Sequence, residues 1–139
     1  MTRLALLACV LACDRRTPFQ TCTQDLSGEY AVGAEHWMIL DRGAALEAYP
    51  LFPDVPASEL EVAPRMIELT RERDGVRGSV KRRYMKLAAM CIAKAPITVA
   101  SCANDTLEIV RADPAPPLGF APCQWSRPEP SRHERWTRR

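Results

Sequence analysis

Any chemistry in this chain must come from few residues. There are two histidines, His36 and His133, six cysteines, and three acids, Glu29, Glu35 and Glu47, close enough in sequence to meet across neighbouring strands. A histidine beside a serine or cysteine suits nucleophilic catalysis and paired carboxylates suit acid and base work, but both constellations are spatial, and neither has a local signature here. His36 adjoins Trp37 in a strand-like stretch and reads as half-buried, and the three acids read as a solvated sheet face. The six glycines stand singly, so there is no phosphate-cradling loop, and no cofactor motif appears. Neither an enzyme nor a cofactor is expected.

The cysteines say more. Cys22, Cys91, Cys102 and Cys123 are widely spaced, with no Cys-x-x-Cys and no histidine at ligand spacing, which argues against zinc. Set apart from Cys9 and Cys13 they form an even group, consistent with two disulfides in an oxidising compartment; four unpaired buried thiols are the alternative. The expected pairing is Cys91 with Cys102 and Cys22 with Cys123. A turn near Ala95 to Ile97 would bring Cys91 and Cys102 onto adjacent strands.

Arg3, nine apolar residues from Leu4 to Ala12, and a small residue before Cys13 follow the order of an export signal. Val10, Leu11, Ala12 and Cys13 resemble the lipobox of bacterial lipoproteins, whose cysteine is lipid-modified. Leu6, Leu7, Ala8 and Cys9 match too, but only five apolar residues, Leu4 to Ala8, would precede that cut, so Cys13 is preferred. The resemblance implies a signal peptide over residues 1–12, an acylated Cys13, and a place in the cell envelope, on its periplasmic or outer face, held to a membrane by the lipid anchor. Without such processing, Leu4 to Ala12 would be a buried strand or helix. No later apolar run approaches the ~20 residues of a membrane span.

The 139 residues suffice for one modest core, and a hydrophobic fraction of 47% is ordinary. The net charge of +2 sits at the end of the chain: Ser126–Arg139 holds five arginines and two glutamates, and without it and Arg3 the body carries −2. That excludes a nucleic-acid partner for the body, which would need a basic footprint on the folded part.

The elements that must position these residues are short strands. Residues 13–25 lack apolar periodicity and read as a tether, so the fold is expected over 26–125. Leu26, Gly28, Tyr30 and Val32 alternate with polar residues, and His36 to Tyr49 reads as strand, turn and strand. Pro50 to Pro64, with four prolines, is a loop that has room for a short helical turn at Ser58 to Val62. Arg65 to Tyr84 is a hairpin around Asp74 and Gly75. With those two residues as the loop, Leu69 stands opposite Val80, Ile67 opposite Arg82, Glu72 opposite Arg77 and Glu68 opposite Lys81. Apolar residues then collect on one face and opposite charges meet on the other, a sorting that a one-residue shift destroys.

Residues 86–95 are read as strand in preference to a short helix, and Cys91–Lys94 with Ile97–Cys102 as a hairpin around Ala95 and Pro96. Asn104 and Asp105 turn into a strand, Thr106 to Arg111. A proline-rich arm then runs to Cys123, and 126–139 reads as a disordered, arginine-rich tail with too little apolar content to pack. The expected fold is mainly β, an antiparallel meander forming a small disulfide-stapled barrel or half-barrel with flexible termini, similar in architecture alone to lipocalin-like barrels.

Two functions fit that outline. The first is a binding domain for an apolar or anionic amphiphilic ligand, with Arg82, Arg71, Tyr84, Leu69 and Val80 as the tentative site, because an arginine on an apolar face must snorkel, pair, or meet an anionic group. The second is a non-enzymatic accessory lipoprotein that docks onto an envelope protein assembly. A cavity inside the sheet favours the first; a filled core with an exposed apolar edge favours the second.

Overall fold

The computed structural model describes residues 22–51, 65–86, 89–117, 123 and 127–139. Every regular element among them is a strand: β1 Gly28–Val32, β2 Glu35–Asp41, β3 Ala45–Leu51, β4 Arg65–Glu72, β5 Gly75–Lys86, β6 Ala89–Ala103, β7 Thr106–Arg111 and β8 Arg132–Arg138. Each pairs antiparallel with the next, and β8 returns to β1 through Tyr30 opposite Arg138 and Ala31 opposite Thr137, so the meander closes into an eight-stranded barrel. The helical turn expected at Ser58 to Val62 lies outside the described residues.

Period-two alternation decides which side chains point inward. Tyr30, Trp37, Ile39, Leu46, Ala48, Ile67, Leu69, Val76, Val80, Ile97, Val99, Leu107, Ile109 and Trp136 are all buried in the interior. Charged residues such as Glu68, Lys81, Glu108 and Arg135 stand on the outer wall, where they pair Lys81 with Glu68 and Arg135 with Glu108. This is the reverse of a membrane-spanning barrel, whose outside is apolar.

Four expectations about the chain path are corrected. Residues 126–139 are not a disordered tail throughout, because β8 supplies the closing strand and Trp136 is fully buried. The low apolar content misled because the inward residues Arg132, Glu134 and Arg138 are stabilised by ion pairs and hydrogen bonds in place of apolar contact. The fold also begins before Leu26: Cys22 is buried, and residues 22–27 form a strap across one barrel end, with Leu26 plugging the core.

The third correction is the hairpin register. Ile67 stands opposite Val80, Leu69 opposite Gly78, Arg65 opposite Arg82 and Glu72 opposite Gly75, so the loop is Arg73 and Asp74. Gly75 opens β5 with φ +150°, a conformation that L side chains rarely adopt. The expected and observed registers differ by two residues, which leaves every side chain on its own face, so apolar sorting cannot separate them. Nor do the charges: Glu72 still meets Arg77 at 3.0 Å and Glu68 meets Lys81, now along diagonals that long side chains span. What distinguishes the observed register is a close approach, since a Cβ on Gly78 would lie 1.9 Å from the Glu68 carbonyl oxygen.

Fourth, Ala95 and Pro96 make no turn. They lie inside the 15-residue strand β6, which puts Cys91 and Cys102 near its two ends, roughly 35 Å apart at ~3.3 Å per residue and beyond any disulfide. Cys22 is instead bonded to Cys102 (Cα–Cα 5.7 Å) and Cys91 to Cys123 (5.2 Å). A bulge between Val99 and Ser101 shifts the alternation by one, so that Cys102 falls on the buried face to meet the strap. The 86–95 region is strand on both sides of residues 87–88, as expected, and the Asn104–Asp105 turn is present, with Asn104 at φ 52°.

Candidate functional site

The barrel interior is the first place to seek a ligand, and it is full. Leu26, Ile39, Leu46, Ile67, Val99 and Trp136 are among the residues around its residual void, which measures about 10 Å3. Leu69 and Val80, expected to line a ligand face, are packed into this core. Arg82 does not join them. It stands opposite Arg65 and Ala93, past the end of the inward apolar rows, and its guanidinium is exposed to solvent 5.1 Å from the Tyr84 ring centroid. Tyr84 donates its hydroxyl to the Pro114 carbonyl at 2.8 Å. The five residues of the expected site are thus divided among the core (Leu69 and Val80), the distal part of β5 (Arg82 and Tyr84) and the strap (Arg71), because the actual register carries Arg82 one pair beyond Ile67.

Arg71 has a structural task. Its guanidinium reaches over the barrel end to donate to the carbonyls of Cys22, Gln24 (2.9 Å) and Gly43 (2.7 Å), and it pairs with the Asp41 carboxylate. Asp41 also accepts from the backbone N–H groups of Leu26 and Gly43, both at 2.9 Å. One arginine and one aspartate therefore fasten the strap to the β2–β3 turn. A cleft of about 510 Å3 opens between the strap and the neighbouring turns, but Asp41, Arg71 and Glu72 on its wall are each engaged by protein partners. On the same side Arg138 donates to the Tyr30 hydroxyl (2.9 Å) and to the Asp25 carbonyl (2.8 Å). The Ser27 backbone N–H, followed by its hydroxyl, holds the Asp25 carboxyl below its ordinary range.

Glu29, Glu35 and Glu47 do not meet one another. Glu29 meets His36 Nδ1 at 2.9 Å on the outer wall, and Glu47 accepts from the Tyr49 hydroxyl at 3.1 Å and faces Arg42. Glu35 turns toward the far end of the barrel, where it joins a cluster that sequence reasoning missed. At its centre is Arg111, 1% exposed, with its guanidinium 5.4 Å from the Trp37 ring and 5.8 Å from the Trp136 ring. The two indoles are 5.3 Å apart. Glu134 approaches Arg111 Nε at 2.9 Å and Glu35 accepts from Nη2 at 3.1 Å, while each carboxylate also accepts the N–H of one indole.

Glu134 in turn binds Arg132 at 2.7 Å, and Arg132 reaches Asp113 at 2.8 Å. Burial alone would lower the Arg132 pKa, but its hydrogen bonds to Glu134 and Asp113 outweigh that and raise it. The cluster caps the far end with ion pairs, as the strap caps the near end. A signal for it existed in the sequence: Leu107, Ile109 and Arg111 alternate, which puts Arg111 on the buried face.

The partners of His36 are Glu29 and Arg139. Among the described residues no group of three or more His, Cys, Asp or Glu is placed to hold a metal ion. Comparison with models of protein families, with curated proteins and with solved structures finds no match to this chain.

Proposed function

We propose that the chain is a lipid-anchored accessory protein of the cell envelope, without catalytic activity, that works by docking the outer wall of its barrel onto a partner. The observation that carries this reading is the filled interior. A void of about 10 Å3 is at the lower limit for a single water, whereas small-molecule sites measure ~300–1,000 Å3. Both barrel ends are also crossed by paired charges, Arg71 with Asp41 at one and Arg111 with Glu35 and Glu134 at the other. Two disulfides and the Val10-Leu11-Ala12-Cys13 stretch support an oxidising, membrane-proximal location.

Two measurements test it. A fatty-acid analogue fed to expressing cells should label the wild type and not Cys13→Ala; equal labelling removes the anchor. Oleate titrated into the purified protein should give no saturable quenching of the buried Trp37 and Trp136. Stoichiometric, saturable quenching would restore the ligand-binding reading and end this one.

A further inference from the structure

The longest strands, β5 and β6, run past the barrel wall as a two-stranded ribbon: β4 pairs with β5 only as far as Arg82, and β7 pairs with β6 only from Ile97. The inner face of the ribbon is covered around Ala93, Ala95, Cys91 and Tyr84, while Arg82 on the same face is exposed. Ala93 and Ala95 are buried, Cys91 is bonded to Cys123, Tyr84 donates to Pro114, and the Ala112 N–H donates to the Pro96 carbonyl. These ties hold the ribbon to the proline-rich arm and fix which face looks outward.

That outward face is apolar and basic together. Met90 and Ile92 are 59% and 46% exposed, two of the three large hydrophobic residues that the described surface leaves open. By strand alternation Lys94 continues their row, and the register sets Arg83 opposite Ile92 and Lys81 opposite Lys94. Lys81 is held by Glu68, but Arg83 and Lys94 are exposed and have no acidic partner among the described residues. The whole stretch 75–103 contains six cations, Arg77, Lys81, Arg82, Arg83, Lys86 and Lys94, and no acid.

We infer that the outer face of the β5–β6 ribbon binds the surface of an anionic bilayer, with Met90 and Ile92 entering the headgroup layer and Arg83 and Lys94 at the phosphates. This deepens the docking reading and rests on it. Apolar side chains flanked by free cations, on an element with no acid, are the composition that interfacial binding uses. The placement of the anchor agrees. The nine residue steps from Cys13 to Cys22 span at most ~32 Å, and Cys22 is bonded to Cys102 at the other end of β6. A barrel lying with β6 toward the bilayer brings anchor and ribbon to it at once.

The test is flotation of the full chain carrying Cys13→Ala, with phosphatidylcholine vesicles and with equimolar phosphatidylcholine and phosphatidylglycerol. The Leu4 to Ala12 run remains in every variant and cancels in the comparison. Met90→Ser/Ile92→Ser should weaken binding to the anionic vesicles at least tenfold. Arg83→Gln/Lys94→Gln should remove most of the preference for them, at about fivefold for each charge. Intact disulfides by peptide mapping show that each variant has folded.

Anionic binding unchanged in both variants overturns the inference. Variant-sensitive binding to polyglutamate without binding to vesicles also overturns it, assigns the face to an acidic protein, and leaves the docking reading standing. Saturable quenching by oleate, in contrast, defeats the docking reading whatever the vesicles do.

Discussion

Glu134→Gln should destabilise the barrel far more than Arg111→Met, although Arg111 is the more deeply buried of the pair. Glu134 is 10% exposed and approaches Arg111 Nε at 2.9 Å. Its neutralisation leaves the guanidinium, which has no hydrogen-bond acceptor at Nη1 and meets Glu134 at Nε through charge and not an aligned hydrogen bond, with only Glu35, whose side chain is 43% exposed and more weakly placed at 3.1 Å. Stranding a buried charge costs about 3–5 kcal/mol; the lower end applies because Glu35 remains.

Removing the arginine strands nothing comparable. Glu134 keeps Arg132 and the Trp136 N–H, and Glu35 keeps the Trp37 N–H. The variant loses two ring contacts, each worth about 0.5–2 kcal/mol, and is relieved of about 1–3 kcal/mol for the unsatisfied Nη1 group, so at mid-range the two nearly cancel. The net cost of Arg111→Met is therefore about 1 kcal/mol or less. Urea unfolding followed by tryptophan fluorescence separates the two. With a slope of about 1–3 kcal/mol/M, Glu134→Gln moves the midpoint down by about 1–3 M, and Arg111→Met by under about 1 M. A larger loss in Arg111→Met would mean that the cation over the indoles, and not its pairing with Glu134, holds this end of the barrel together.

Peptide mapping without reduction should recover Cys22 with Cys102 and Cys91 with Cys123; a Cys91–Cys102 peptide would contradict the continuous β6. Cys22→Ser, opening a link across 80 residues, should cost up to roughly 4–5 kcal/mol by the chain-entropy model and free the strap to proteases, and unchanged melting would refute its role. Ending the chain at Ser131 removes β8 and Trp136 and exposes the edges of β1 and β7, so circular dichroism should report loss of cooperative unfolding; a near-native melt would show that the barrel closes without it. Burial raises the Tyr30 phenol above 10.0 despite the opposing hydrogen bond from Arg138. Because the folded state holds that proton more tightly, the stabilisation is complete below pH 10 and declines as pH rises through the native value. Tyr30→Phe should flatten that decline, and an equal slope in both proteins would refute the assignment.

Alternation along each strand, turn residues such as Asn104 with Asp105, and the even set of four cysteines were enough to read a disulfide-stapled β meander from the sequence. These are local signals: a period of two sets the face of every side chain whatever its strand pairs with. They led to Leu69 and Val80 as apolar inward positions, to strand at 86–95, and to ion pairs linking Glu72 with Arg77 and Glu68 with Lys81. Only the tertiary structure decided what depends on distance through space. Registers that differ by two residues share the same faces, so alternation does not choose between them; the observed one brings the Gly78 backbone against the Glu68 carbonyl, closer than any side chain allows. The disulfide pairing followed from the length of β6, which separates Cys91 from Cys102 and carries Cys102 to the strap. The terminal Arg-His-Glu-Arg-Trp-Thr-Arg became a strand because partners distant in sequence, Tyr30, Arg111 and Asp113, receive its inward side chains. Charge that reads as solvated in a one-dimensional pattern can be buried when its counter-charge arrives from another strand, and that arrival is settled by closure of the barrel alone.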